Sequence, residues 1–252
     1  MRTLGKCLFF SLALVFATSF KAYSTKEKDF YKLLIKPYFV IAEMTGDAKV
    51  HREMSEVSDF ETFERGELVE IIQDRSAKWY NVRNVKTMHE GWTLRENLSI
   101  PEDEGANKLK LAVDEIEGYV NSGGYESESN FFVLTDVDRQ ITYVLTGKAG
   151  EWKFIREIVC STGKNESPTT RGSFVIDARG KWFFSKRLGS GAKFWVRFNG
   201  AYLFHSIPMD EKKQVIDDIL GERRSSGCVR MSLDDAEWFF DTIPDKTSVL
   251  IL

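Results

Sequence analysis

From Asn130 to Ser206 the chain runs in short stretches of alternating apolar and polar residues broken by turn residues, which commits this half to β-strands. FFVLTDVD and QITYVLTG face each other across Asp138-Arg139 as a hairpin. EWKFIREIVCSTG follows, with Trp152, Phe154, Ile158 and Cys160 alternating against polar positions. A Ser-, Thr-, Gly- and Pro-rich loop then leads into the strands GKWFFSK and AKFWVRFNGAYLFHS, the latter folded at Asn199-Gly200, a strong hairpin turn. Past Asp210 the spacing of Val215, Ile216, Ile219 and Leu220 predicts a helix over 210–220, with Gly221 as its stop. Ser232 is placed to cap a last helix, LDDAEWFF, before the closing strand TSVLIL.

The first half reads differently. Residues 25–36 form a charged leader with short-helix character. YFVIAEM, ELVEIIQ, WYNVRNV and EGWTLREN then read as strands, and a five-strand barrel of about 60 residues is their natural packing. The turn glycine Gly66, the WY-x-V run and the final Gly91-Trp92 resemble a bacterial Src homology 3 domain over residues 37–100. That resemblance implies a groove of aromatic side chains that docks on cell-wall peptides. His51 and His89 read as exposed strand-edge residues. Residues 101–128 read as an acidic linker and a helix ending at Ser122-Gly123-Gly124. The remaining domain spans 129–252.

Charge and leader residues bound the setting. The formal net charge is −3 and no basic block occurs, which sets nucleic acid aside as a partner. Arg2 and Lys6, an apolar run from Cys7 to about Phe20, and Ala22-Tyr23-Ser24 read as an export signal over residues 1–24, cleaved near Ser24. The run is shorter than the ~20 residues of a spanning helix. Periplasm or cell wall is the expected location. Cleavage leaves Cys160 and Cys228, either bridged or free, with Cys160 read as a buried free thiol. Cys and His residues show no ligand spacing, so neither a metal nor a cofactor is expected. Oligomeric state is left open.

The chemistry concentrates in residues 202–230, YLFHSIPMDEKKQVIDDILGERRSSGCVR. A thiol is a good nucleophile at neutral pH only when a neighbour takes its proton, and imidazole is the usual neighbour. His205 is the only histidine in the second half, so it is the base available to Cys228. Gly227 admits close approach of a substrate, and the N–H groups of Gly227 and Cys228 are candidate oxyanion donors. Arg230 has the planar fork that suits a carboxylate, with an ion pair to Asp234 or Asp235 as the other reading.

CSTGK at 160–164, SPTTRGSF at 167–174, FHS at 204–206 and SSGCVRM at 225–231, in that order, resemble the catalytic domain of the L,D-transpeptidases, the YkuD-type fold. The expectation is a mainly β protein: a small N-terminal barrel and a β-rich transpeptidase domain with a few inserted helices. The resemblance implies attack on the carbonyl between the third and fourth residues of a peptidoglycan stem tetrapeptide. D-alanine leaves, and the thioester passes to an amine on a neighbouring stem, forming a 3–3 crosslink. Transfer to water would make the protein an L,D-carboxypeptidase.

By the same resemblance Cys228 is the nucleophile, His205 the base and Ser206 the residue whose carbonyl holds the imidazole, while Ser226, Gly227 and Arg230 face the substrate. Many members carry a histidine where this chain has Ser226. The long interval from His205 to Cys228 is expected to overhang the site as a lid. Two rivals remain. A papain-like wall amidase places its cysteine before its histidine, the reverse of this order, and a decayed wall-binding protein has no need to retain Cys228, His205 and Arg230 together.

Overall fold

The computed structural model describes residues 23–252, and the chain is mainly β. The segment 1–24, read from the sequence as an export signal, lies outside the described residues except for Tyr23 and Ser24. Helix α1 (Thr25–Leu34) starts at a capping box in which the Ser24 side chain accepts from Glu27 N and the Glu27 carboxylate accepts from Ser24 N at 2.9 Å.

Strands β1 (Ile41–Met44), β2 (Ala48–His51), β3 (Phe60–Phe63), β4 (Leu68–Arg75), β5 (Trp79–Asn84), β6 (Glu90–Leu94) and β7 (Leu98–Ser99) follow. They form one antiparallel sheet in the order β3-β2-β6-β5-β4-β1-β7. It closes on its own core, with Met44, Phe63, Val69, Tyr80 and Val82 at the centre. Sequence pattern anticipates four of these seven strands and misses β2, β3 and β7. AKVH and FETF are short and largely polar, so neither shows a clean period of two. The extra strand β3 also corrects the reading of His51. With β2 paired on both sides, His51 is buried at 5% exposure, its ring against Trp79 and Phe60. His89 is exposed, beside Glu61 at 2.9 Å.

Helix α2 (Val113–Gly123) ends at Gly124, which takes the left-handed conformation at φ 69° that a helix stop requires. Then come β8 (Phe131–Asp136), β9 (Ile141–Thr146), β10 (Lys153–Val159), β11 (Gly172–Val175), β12 (Ala178–Ser185), β13 (Ser190–Asn199), β14 (Tyr202–Ser206), β15 (Val229–Met231), α3 (Leu233–Thr242) and β16 (Ser248–Ile251). One sheet runs β10-β9-β8-β16-β11 and a second runs β12-β13-β14-β15. Ser232 caps α3 by accepting from Asp235 N.

β8 is buried on both faces, which explains its nearly continuous apolar run. Val133 joins the core shared with Val196, Phe204, Val229 and Phe239 of the second sheet and α3. Phe132 and Leu134 point the other way, into a core with Ile35, Ile116, Val120 and Trp152. The leader helix therefore packs onto α2, where the Tyr31 ring occupies the space a side chain at Gly118 would need.

The helix expected over 210–220 does not form. Residues 207–228 run as an irregular crossover that lets β15 lie parallel to β14. Its backbone groups find other partners: Gly221 N donates to Cys160 O, and Arg224 N and Ser225 N both donate to Thr162 O, each at 2.9 Å. Asp210 and Asp217 side chains accept from Gln214 N and Ile219 N at 2.8 and 3.3 Å. Isolated helices this short are marginal, and local aspartate bonds compete directly with the helical ladder.

Candidate active site

The parallel register pairs Phe204 with Val229, His205 with Arg230, and Ser206 with Met231. Because strand side chains alternate, Phe204, Val229 and Met231 enter the core while Leu203, His205, Cys228 and Arg230 share the opposite face. That face lines an open cleft of about 650 Å³, walled also by Phe183, Trp195, Ile216 and Asp217.

His205 Nδ1 donates to Ser206 O at 2.6 Å, which leaves Nε2 as the acceptor nitrogen. The ring meets Phe183 edge-on, with centroids 5.5 Å apart. Burial pulls the imidazole down to about 4, against the Ser206 carbonyl, and the Arg230 charge adds to the effect. Burial pushes the Cys228 thiol up to about 11, with the Leu203 N–H and Arg230 drawing it back. Both groups are therefore neutral at pH 7: a thiol, and an imidazole free to take its proton. Cys228 is partly exposed, and its Sγ lies 3.7 Å from Ala201 O.

The turn carrying the thiol is held from behind. Ser225 Oγ donates to Cys228 O at 2.5 Å and accepts from Gly227 N at 3.1 Å. Gly227 N–H, a candidate oxyanion donor by sequence, is thus engaged by Ser225 in this structure. Gly227 sits at φ 104°, and a Cβ there would lie 2.6 Å from the Tyr202 ring, so only glycine fits without strain. Thr169 Oγ1 donates to Gly227 O and accepts from Gly163 N, both at 2.8 Å. Arg230 N and Ser161 O, and Ser161 N and Arg230 O, pair at 2.8 and 2.9 Å. The CSTGK and SPTT stretches are accordingly the scaffold of the thiol turn.

Arg230 is mostly buried and pairs with Asp217 through Nη1–Oδ2 at 2.9 Å. Asp235 is occupied by Arg156 at 2.7 Å, so the partner is neither acid expected from the sequence. Burial raises the Asp217 carboxyl, but hydrogen bonds from Arg224 and Ile219 N–H, with the Arg224 and Arg230 charges, carry it below its usual value. The sequence carries no signal for Asp217, because the apolar spacing around it mimics a helix. Ser226 is exposed at the mouth of the cleft. Cys160 is fully buried and free, and burial pushes its thiol up to about 12. Among the described residues no group of three or more Cys, His, Asp or Glu side chains is arranged to hold a metal.

The YkuD family model, described as an L,D-transpeptidase catalytic domain, matches residues 130–251 and so contains both strands of the cleft. YciB of Bacillus subtilis (strain 168), assigned by name to the L,D-transpeptidases, is 32% identical over 154 residues, covering 56% of this chain and 77% of YciB. This chain belongs to the L,D-transpeptidase family. Among solved structures, a fused Zn-dependent amidase/peptidase/peptidoglycan-binding domain-containing protein from Clostridium acetobutylicum ATCC 824 is 31% identical with a TM-score of 0.48, over 54% of this chain and 58% of that one. An L,D-transpeptidase from Stackebrandtia nassauensis is 17% identical with a TM-score of 0.41, over 56% and 66%. The chain thus spans less than two thirds of either solved protein.

Proposed function

We propose that this protein is an exported cysteine L,D-transpeptidase acting on peptidoglycan stem tetrapeptides, with Cys228 as nucleophile and His205 as base. One observation carries the reading: His205 on β14 and Cys228, at the entry to the adjacent parallel strand β15, open into one cleft, with His205 Nδ1 already tied to Ser206 O. Cys228 Sγ attacks the carbonyl carbon between stem residues three and four as its proton passes to His205 Nε2. The C–N bond breaks, the proton goes to the departing D-alanine amine, and a thioester remains. An amine nitrogen of a second stem then attacks the thioester carbonyl, the C–S bond breaks, and the amine's proton returns through His205 to the sulfur. Arg230 presents the part of its fork not held by Asp217 to a substrate carboxylate.

The test is incubation of the mature protein and a Cys228→Ala variant with a purified disaccharide tetrapeptide, following the masses of protein and products. Alanine loss with a Cys228-dependent acyl adduct and crosslinked dimer is the expected result, and hydrolysed tripeptide alone would make the protein a carboxypeptidase. A folded protein with a free Cys228 and no adduct would leave the non-catalytic wall-binding reading. The sheet over residues 41–99 is proposed as the Src homology 3-like, wall-docking module, supported by its closed small core. Co-sedimentation of the full chain with purified wall, and loss of residues 1–24 from protein recovered outside the cytoplasm, test docking and export.

A further inference from the structure

A second cleft, of about 440 Å³, opens where the first sheet meets the catalytic domain. Its walls are the β4–β5 turn, the loop at 164–167 and the tip of the β12–β13 hairpin. Ala201 and Ser226 border both clefts, so the two run together beside the thiol. Arg75, Lys164 and Arg187 line this second space, all exposed and none held in an ion pair among the described residues.

Of the two acids nearby, Glu166 is paired with Arg95, while Asp74 is held by uncharged donors and sets one negative charge against the three cations. Asp74 accepts from Ala77 N at 2.8 Å and from the Ser167 hydroxyl. Both Glu166 carboxylate oxygens bind Arg95, at 2.5 and 2.8 Å, while Tyr80 Oη donates to Glu166 O at 2.7 Å. These bonds tie the first sheet to the loop behind the thiol turn, so the walls are fixed relative to each other. The surplus of unpaired cations leaves a preformed, positive space that favours an anion.

A transfer reaction must bring two peptides to one carbonyl from different sides. We infer that the second cleft binds the acyl acceptor, a peptide with a free amine and one or more carboxylates, delivering its amine past Ser226 to the Cys228 thioester. This rests on the transpeptidase reading above and assigns the first sheet a direct part in acceptor choice.

The probes are a synthetic peptide with a free amine and two carboxylates, and the same peptide with both carboxylates amidated. Calorimetry on full-length Cys228→Ala protein should show the charged peptide binding at least about tenfold tighter, with the advantage lost at high salt and in an added Arg75→Glu/Lys164→Glu pair. In the active enzyme the same pair should raise the acceptor KM about tenfold more than it slows thioester formation, shifting product toward hydrolysis. Equal binding of the two peptides, indifference to the charge reversals, or displacement of the probe by the donor tetrapeptide would overturn the assignment. Should Cys228 form no adduct with any donor, the transpeptidase reading falls, and the calorimetric comparison still decides whether the cleft binds carboxylates.

Discussion

Asp217 and Arg230 form a 2.9 Å ion pair at the wall of the thiol cleft, joining the crossover segment to β15, the strand that follows Cys228 directly. The pair occupies one arm of the guanidinium and orients the rest. Arg230→Lys keeps the charge but has one ammonium to share between Asp217 and a substrate carboxylate. The donor KM is expected to rise about tenfold with a smaller change in kcat. Steady-state kinetics on the tetrapeptide would show this, and an unchanged KM would return Arg230 to a purely structural role.

His205 makes stability depend on pH. Its folded value lies near 4 against an unfolded value of 6.5, so the unfolded chain takes up a proton that the fold refuses. The stabilisation is complete above pH 6.5 and drains away as pH falls through about 4. Thermal unfolding followed from pH 7 to pH 4 should show a falling midpoint, and His205→Gln should flatten that fall.

Thiol reactivity is a separate measure. Alkylation by iodoacetamide should label Cys228 and spare Cys160, which has no exposed surface. Burial holds the Cys228 thiol at about 11, so the rate without substrate should climb with pH well beyond neutrality. A rate already at its plateau at pH 7 would mean a resting thiolate.

Thr169 bridges Gly163 N and Gly227 O from a buried position. Thr169→Val keeps the shape and strands both groups, at a cost of about 1–3 kcal/mol. Urea unfolding measures the loss, and turnover should fall with it because the thiol turn loses its support. Gly227→Ala should be harsher, combining strain at φ 104° with a Cβ 2.6 Å from Tyr202.

The crossover keeps its proposed role as a lid although it is not a helix. Ile216 and Asp217 line the cleft, and Lys213 lies 5.2 Å from the Trp182 ring centre. Shortening the segment within 211–215 should change the tetrapeptide KM. An unchanged KM in a folded variant would sink the lid.

The legible parts of this protein are those written in local pattern. The β8–β9 hairpin, the Ser232 cap and the stop at Gly124 each follow from a few adjacent residues whose backbone preferences agree with the final fold, and the hairpin expected at Asn199-Gly200 forms one residue on, with Asn199 closing β13 and Gly200-Ala201 as its turn. The strand that carries His205 is legible in the same way, but that it shares a cleft with Cys228 follows from the parallel pairing of β14 and β15 across the irregular crossover. Where polar residues fill a strand, as in FETF, periodicity carries no signal, and where short apolar spacing mimics a helix, as at Val215 to Leu220, it misleads.

The sequence by itself determined the strand-rich character, the element boundaries of the longer runs and the residue types at the site. Tertiary structure alone decided that Asp217, not Asp234 or Asp235, holds Arg230, that Ser225 engages Gly227 N–H, and that the first sheet borders a cleft opening beside the thiol. The reason is physical: each of those contacts depends on the path of an irregular segment whose backbone bonds are made to distant partners. No local periodicity encodes where such a segment comes to rest.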